Sequence, residues 1–311
     1  MRTFKFICLM IASSLLASTP ATAATDAALD GSADGAKSAP SSAATPQPHW
    51  SGLPIWGDEA AKRGYQVPLP FGIGATVYSA RQPVNIKDLQ LARKGDPPVS
   101  VVDFLVLNTV DTAQQNISAK FDVLIFPFLD VYALVGYTTG KTNGLIQVPE
   151  TNPVGILPAE LQLNARFRGP TVGGGVTFQG GTKISESPDL TLFGVADVNV
   201  TKTDLSFENE SLIARTRPKA TVFSARIGLA SPVGPFTNGA FWIGAMYQDI
   251  QEMVAGDVAD TNLQFIVIQS PQKPWNALLG TQVGFSKQVT LLIEGGLGAR
   301  KSILAGLGAR F

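Results

Sequence analysis

The sequence predicts an all-β fold: a transmembrane, antiparallel, up-and-down β-barrel of about ten strands, within a range of roughly eight to twelve. After residue 24, no uninterrupted apolar run reaches the roughly 18 residues expected of a membrane-spanning helix. The apolar residues lie instead in short segments in which every second residue is apolar. The C-terminal segment repeats this alternation and ends on an aromatic residue, Phe311. Such patterns are typical of strands that face lipid on one side only.

The N-terminal segment predicts export from the cytoplasm. Residues 1–23 combine two basic residues, an apolar run over 6–16 and small residues up to Ala23, which is typical of a cleaved signal peptide. The only cysteine, Cys8, lies inside that run, so the mature chain has no disulfide and no cysteine-bound metal. Cleavage leaves 22 basic and 24 acidic residues, a balance that does not favour nucleic acid as a partner.

Two further segments precede the barrel. Residues 24–50 are mostly Ala, Ser, Thr, Pro and Gly, and we interpret them as a disordered periplasmic tether that cannot bury enough apolar surface to fold. Residues 51–70 include a short helical segment, Trp56 to Tyr65, which is either an ordered lead-in to the first strand or a plug at the barrel mouth. The barrel itself is predicted over residues 71–311.

Alternation of apolar and polar residues predicts the individual strands. The ten predicted strands are 71–79, 117–126, 131–137, 172–180, 193–205, 221–230, 239–248, 275–285, 289–298 and 302–311. The alternation is less regular in 131–137 than in the other strands. Residues 99–110 and 263–268 are apolar enough to be further strands or to extend the barrel beyond the membrane. If both crossed the membrane, the count would be about twelve.

Charged residues inside the predicted strands fall on the face that points into the barrel. Charges away from bulk water persist when they are paired with opposite charges. We therefore predict a network in the lumen, which either plugs the barrel or selects a small solute or ion. Its members are Lys120, Asp122, Asp197, Arg226, Glu294 and Arg310.

The last strand carries a recognisable pattern. Its outward face consists of Ile303, Ala305, Leu307, Ala309 and Phe311. A terminal aromatic residue preceded by apolar residues at every second position resembles the C-terminal signal of bacterial outer-membrane β-barrel proteins, including the small porin-like and outer-membrane-protein-A-like barrels. The resemblance covers about residues 71–311 and identifies no subfamily. It implies insertion into the outer membrane by the barrel-assembly machinery, with membrane lipids and lipopolysaccharide as neighbours.

Loop lengths predict the orientation. With both termini in the periplasm, the short links at Pro127, Ser231 and Ser286 lie on the periplasmic side. The link 181–190 is long for that side. The longer segments 82–113, 142–160 and 249–270 are then predicted to be external loops.

The residues available for chemistry argue against an enzyme. The only histidine, His49, lies in the predicted tether, so no catalytic triad, histidine metal site or histidine general base can form in the barrel. Outer-membrane barrel enzymes, which this chain resembles in architecture, rely on histidine. A mechanism using only Asp122, Asp197 and Glu294 is the remaining alternative. We predict no catalytic residue, metal or cofactor.

Three functional hypotheses follow. The first is a structural or narrow passive-transport role, porin-like, with a charged and largely filled lumen. The second is surface binding or adhesion through the long external segments. The third is transport of a hydrophobic compound, based on the possible plug and on the apolar residues at 104–107 and 265–268.

Overall fold

The computed structural model describes residues 52–62, 67–104, 106–107, 110–147, 160–208, 212–234, 236–258, 262–286 and 288–311. The predicted signal peptide, 1–23, and tether, 24–50, lie outside these residues. One short helix, α1 (Gly57–Lys62), precedes an antiparallel sheet. Among the described residues, no helix is both long enough and apolar enough to cross a membrane.

The sheet consists of fifteen strands in the described part of the chain. In chain order the first eight are β1 (Phe71–Arg93), β2 (Val99–Ser100), β3 (Val106–Leu107), β4 (Val110–Phe126), β5 (Leu129–Gln147), β6 (Glu160–Glu186), β7 (Asp189–Thr203) and β8 (Leu205–Glu208). The other seven are β9 (Leu212–Thr216), β10 (Lys219–Val233), β11 (Phe236–Val258), β12 (Leu263–Pro271), β13 (Trp275–Gly284), β14 (Val289–Leu297) and β15 (Lys301–Arg310).

Ten of these strands form a closed ring. Around the ring they are β1, β4, β5, β6, β7, β10, β11, β13, β14 and β15. The ring closes where β15 pairs with β1, from Gly72 opposite Arg310 to Arg81 opposite Lys301. A closed sheet pairs its backbone groups without leaving an edge, which is the requirement inside a lipid bilayer. The predicted ten-stranded antiparallel barrel is confirmed.

Side chains along the ring strands alternate between the lumen and the exterior. In β13, for example, Asn276 and Leu278 are buried while Trp275, Ala277 and Leu279 are exposed. The alternation in β5, which the sequence showed less clearly, is just as regular in the structure at its start. Because successive strand residues point to opposite faces, the local pattern alone sets which residues face inward.

The two ends of the barrel differ. We call one of them the inner end. There, Phe71 and Phe311 lie near the short turns at Pro127–Phe128 and Ser187–Pro188, and the opposite end is the outer end. At the outer end, β13, β14 and β15 have stopped, and β12 alone bridges β11 and β1. There β8 and β9 replace β7 and β10 after short breaks in each strand. On this side of the barrel, β4 stops at Val110, opposite Val84, where the pairing of β1 with β12 begins, and β2 pairs with the end of β1.

The described parts of the segments predicted as long external loops are largely sheet. Residues 82–93 and 110–113 belong to β1 and β4, 142–147 to β5, and 249–258 and 263–270 to β11 and β12. The prediction of loops was wrong because the outward face of these strands carries polar residues. The sequence therefore does not show the alternation of apolar and polar residues by which strands were identified. Beyond the membrane that face meets water, so a strand no longer has to be apolar on its outside.

Three uncertain segments have defined structures. Residues 99–110 contribute the short strands β2 and β3 around a 3-10 turn, Val102–Phe104, and 263–268 lie in β12. Neither segment runs along the full height of the barrel. The link 181–190 is not a long loop, because β6 continues to Glu186 and β7 begins at Asp189.

The described residues before β1 attach to the inner rim. The Ile55 amide donates to the Ile125 carbonyl at 2.8 Å, and the Leu124 amide donates to the Pro70 carbonyl at 2.8 Å. The ring of Trp56 lies 4.9 Å from that of Phe126, measured between centroids. This segment is therefore held against the turn between β4 and β5.

Candidate functional site

The structure places all six predicted lumen charges on the inside of the barrel. Five have at most 8% of their surface exposed, and Arg310 is half-buried at the inner end. They do not form one network. Contacts divide them into an inner ion cluster, a central ion pair and a separate carboxylate.

The inner ion cluster contains Lys120, Asp122, Asp130 and Arg310. The Lys120 ammonium lies 3.5 Å from the Asp122 carboxylate and 3.2 Å from that of Asp130. Arg310 pairs with both carboxylates, at 3.5 Å from Asp130. Two cations thus balance two anions, which limits the cost of burying them.

Asp130 was not predicted as a member of the cluster. The sequence assigned Pro127–Asp130 to a turn, whereas β5 already begins at Leu129. Asp130 is therefore an inward strand residue, with 4% of its surface exposed. The sequence contained the information needed to predict this, because Asp130, Tyr132 and Leu134 alternate with the outward residues of β5.

The central ion pair joins Arg226 of β10 to Glu294 of β14. Its two hydrogen bonds are 2.7 Å, from Nε to Oε2, and 3.0 Å, from Nη2 to Oε1. Trp242 Nε1 donates to the same carboxylate at 2.7 Å, and Arg226 Nη1 donates to Ser224 at 2.9 Å. This bidentate, charge-assisted arrangement is among the stronger interactions that buried side chains form.

Asp197 departs from the prediction of paired charges. In the described residues it forms no salt bridge, and its carboxylate accepts hydrogen bonds from neutral groups instead. The donors are the Tyr132 hydroxyl at 3.0 Å, the Thr177 hydroxyl at 2.8 Å and the Asn199 amide at 3.0 Å. Several such bonds satisfy a carboxylate without a cation.

Glycines allow two aromatic side chains to cross a neighbouring strand. Tyr132 of β5 lies over Gly175 of β6 to reach Asp197 of β7, and a Cβ atom at Gly175 would lie only 2.6 Å from the Tyr132 hydroxyl. Trp242 of β11 crosses Gly280 of β13 in the same way to reach Glu294. Gly175, which belongs to the glycine triplet 173–175, therefore serves close packing.

A polar layer lies in the lumen on the outer side of the central ion pair. Its side chains have at most 4% of their surface exposed, yet each has at least one polar atom without a hydrogen-bond partner among the described residues. Such atoms are costly unless water or a ligand satisfies them. The layer comprises Gln82, Gln248, Glu252, Gln269, Asn276 and Arg300.

Two ionisable members of this layer lack a partner of opposite charge in the described residues. Arg300 has 1% of its surface exposed and contacts the Pro274 carbonyl at 3.4 Å and the Met246 sulfur at 3.7 Å. Glu252 accepts a 2.9 Å hydrogen bond from Gln269. Burial raises the pKa of Glu252 to about 7, although that hydrogen bond opposes the shift. Sequence reasoning missed both residues because it assigned them to loops.

Beyond the polar layer, the lumen at the outer end is apolar. Inward residues of β1, β11 and β12 there include Ile86, Leu89, Val254, Phe265 and Val267, and none has more than 9% of its surface exposed. Side chains therefore fill this end. The described residues also contain no group of three or more His, Cys, Asp or Glu side chains arranged to bind a metal.

The outer surface carries an apolar band between two sets of aromatic residues. Tyr247 and Trp275 meet at 5.2 Å toward the outer end, while Phe236 and Phe285 meet at 5.6 Å at the inner end. The 10 residues of β13 join these two sets, about 33 Å along the strand and about 25 Å when tilted by roughly 40°. That height matches the apolar band of outer-membrane barrels, so the architecture is that of a bacterial outer-membrane β-barrel protein.

The C-terminal strand completes this surface. Ile303, Leu307 and Phe311 are each more than half exposed, and Ala305 and Ala309 share their face. The Phe311 amide donates to the Phe71 carbonyl at 2.9 Å, and the Phe71 amide donates back at 3.2 Å. The predicted assembly signal thus lies on the outward face of the strand that closes the barrel.

Three bacterial proteins are among the solved structures that match this chain. The outer membrane protein OprG from Pseudomonas aeruginosa matches at 12% identity over 79% of this chain and 98% of its own, with a TM-score of 0.41. The translocator domain of the autotransporter NalP from Neisseria meningitidis matches at 10% identity over 82% and 93%, with a TM-score of 0.38. The transport unit of the autotransporter AIDA-I from Escherichia coli matches at 11% identity over 78% and 90%, with a TM-score of 0.35. No protein-family model and no curated protein matches the sequence.

Proposed function

We propose that this protein is a non-enzymatic outer-membrane barrel with a narrow passive-transport role for small polar solutes or ions. The observation that carries the proposal is the polar layer, whose buried atoms lack partners among the described residues. A purely structural barrel would be more stable with apolar or fully paired side chains at these positions. Water or a small polar solute in the lumen would satisfy them.

The two ends of the lumen limit the size of any pathway. The inner ion cluster and the central ion pair lie on one side of the polar layer, and the apolar outer end lies on the other. A solute passes only when side chains at both ends move aside. We therefore expect low conductance and brief openings.

Single-channel recording in planar lipid bilayers tests the proposal. A triple variant removes the central ion pair and the indole ring that donates to it: Arg226→Ala, Trp242→Ala and Glu294→Ala. Its conductance should be at least severalfold higher than that of the wild type. The control carries Ile227→Ala, Ile243→Ala and Ile293→Ala on the same three strands. These residues point outward and are 54%, 57% and 44% exposed, so conductance should not change.

Refolding of each variant is checked first by its gel mobility without boiling. Silence of both the wild type and the folded triple variant would contradict transport through the lumen. The remaining interpretation would be a filled barrel with a structural role in the envelope.

The three carboxylates that the sequence offers as an alternative catalytic set support a non-enzymatic role. Asp122 and Glu294 are held in ion pairs, and Asp197 accepts three different neutral donors. A general acid or base needs a proton that can be exchanged with a bound substrate. The proposal is contradicted if purified protein hydrolyses phospholipid or peptide substrates and Asp197→Asn abolishes that activity.

We also propose periplasmic termini and removal of residues 1–23. The ends of β1 and β15 lie with the short turns at the inner end, and short turns are periplasmic in barrels of this kind. Intact-mass measurement of protein extracted from outer membranes should give a chain that begins at Ala24. A chain that retains Met1 would contradict this assignment.

A hydrophobic compound is the second candidate solute, because the outer end of the lumen is lined by apolar side chains. Phe265 and Val267 face inward there beside Val254. Val254→Gln with Val267→Gln should reduce uptake of an aromatic hydrocarbon by cells severalfold while ion conductance remains. Unchanged uptake would count against this candidate.

A further inference from the structure

Pairs of basic residues lie directly opposite each other on neighbouring strands, on the outer surface of the barrel. All the side chains concerned are exposed. The pairs are Arg81 with Lys301, Lys202 with Lys219, and Lys141 with Arg166. Directly opposed side chains have Cβ atoms about 4.5–5.5 Å apart, and like charges in such positions destabilise a sheet. An anion bound between the two cations would remove that repulsion.

Two of these pairs border the apolar band. Lys202 follows Val200 on the outward face of β7, and Lys301 precedes Ile303 on the outward face of β15. Val200 is 37% exposed and Ile303 is 57% exposed. A ligand at either pair would therefore have its anion at the cations and any apolar part on the lipid-facing residues.

The protein itself neutralises few of these charges. Lys202, Lys219 and Lys301 form no salt bridge with any described residue, whereas Arg81 pairs with Asp111 at 2.9 Å. The nearest acidic neighbour along β7, Asp204, is already paired with Arg217 at 3.3 Å. One more carboxylate, Asp249, is exposed on β11 opposite Thr221. Positive charge remains in excess around Lys202 and Lys219.

We propose that the Lys202–Lys219 and Arg81–Lys301 pairs bind the phosphate groups of a phosphorylated glycolipid in the outer leaflet. Lys and Arg are the side chains that bind phosphate in proteins, and basic residues beside a membrane attract anionic headgroups. The apolar residues immediately below each pair would contact the acyl chains. Free phosphate lacks such chains, so the geometry favours the lipid. The assignment to the outer leaflet rests on the proposed periplasmic termini, and it is independent of the proposed transport through the lumen.

Binding of purified bisphosphorylated lipid A to the full-length protein in a zwitterionic detergent tests the proposal. Lys202→Gln with Lys219→Gln should weaken binding by about 25-fold, from the usual effect of a basic residue near an anionic surface. The control, Lys62→Gln with Lys183→Gln, removes two exposed lysines at the inner end and should bind normally. Lipid A stripped of both phosphates should bind weakly to every form of the protein.

Thermal unfolding provides an independent measurement. Without lipid, Lys202→Gln should raise the unfolding temperature because it relieves repulsion with Lys219. With saturating lipid A, the wild type should become the more stable form. Equal affinity of the wild type and the double variant for lipid A would overturn the proposal, and so would full displacement of lipid A by equimolar inorganic phosphate.

Discussion

The three buried carboxylates that matter most to the lumen have different partners. Glu294 is paired with Arg226 and also accepts from Trp242, Asp197 accepts only neutral donors, and Glu252 accepts from one amide. A carboxylate with a bidentate arginine has a charge-assisted partner for each oxygen, while one with a single neutral donor loses much of its hydration without replacement. A buried carboxylate therefore stabilises the barrel at one position and destabilises it at another.

Glu294→Gln should destabilise the barrel by about 3–5 kcal/mol, because it leaves the buried Arg226 cation without its counter-charge. Arg226→Met combined with Glu294→Leu should cost clearly less than the single change, since no unpaired charge remains. Urea unfolding in lipid vesicles, followed by tryptophan fluorescence, measures both. Equal losses in the single and double variants would show that packing, and not charge pairing, dominates at this position.

Glu252 should make stability depend on pH. It lies beyond the Tyr247–Trp275 aromatic pair, in the part of β11 that pairs with β12 outside the membrane band. Its pKa is about 7 in the folded protein and 4.5 ordinarily, so between these values the folded state holds a proton that the unfolded state has released. Stability from this group is therefore fully present below pH 4.5 and is lost as the pH rises to about 7.

From pH 5 to pH 8 this loss should be about 2.5 kcal/mol. The measurement is the difference in unfolding free energy between the wild type and Glu252→Gln at both pH values, which removes the contribution of other titrating groups. The amide variant should be the more stable protein at pH 8. A difference that does not change with pH would show that Glu252 titrates normally.

At the scale of elements, the strand that closes the barrel is also the strand predicted to carry the assembly signal. The backbone of Phe311 bonds to Phe71, while its side chain points outward and stacks on the Phe71 ring at 6.3 Å. Replacement of the ring leaves the backbone pairing intact. The effect on recognition by the assembly machinery can therefore be separated from the effect on stability.

Phe311→Ala should reduce the amount of folded protein in the outer membrane of cells at least fivefold. In refolding with purified detergent it should cost only about 1 kcal/mol, the usual contribution of an aromatic contact. Phe285→Ala is the matched control, because that ring is 51% exposed at the same end and contacts Phe236 at 5.6 Å. If both variants accumulate equally in cells, Phe311 is not part of an assembly signal.

Element boundaries were predicted well inside the membrane band and poorly outside it. The predicted strand 275–285 agrees with β13, whereas the prediction 71–79 covers less than half of β1, which continues to Arg93. Within lipid, the outward face must be apolar, so alternation is visible in the sequence. Outside it, Asn85 and Lys87 face water, and the same strand geometry leaves no apolar stripe.

At the scale of the whole molecule, closure makes the barrel resistant to unfolding. Every ring strand has two paired neighbours, and the ion pairs inside link strands that are distant in sequence. A sheet of this kind has no edge from which detergent can separate one strand. Outer-membrane fractions should therefore give different gel mobilities before and after boiling, and identical mobilities with protein in the soluble periplasm would contradict a membrane barrel.

The sequence by itself determined the closed antiparallel architecture and, within the predicted strands, the side of the wall on which the side chains lie. Both follow from a period of two, which depends only on the local backbone and on contact with lipid. Only the tertiary structure decided which lumen residues meet, that Asp197 has no cation beside it among the described residues and that β12 takes the place of β13, β14 and β15 at the outer end. Arg226 and Glu294 are 68 positions apart, and strand register and closure set such contacts, which no local pattern specifies.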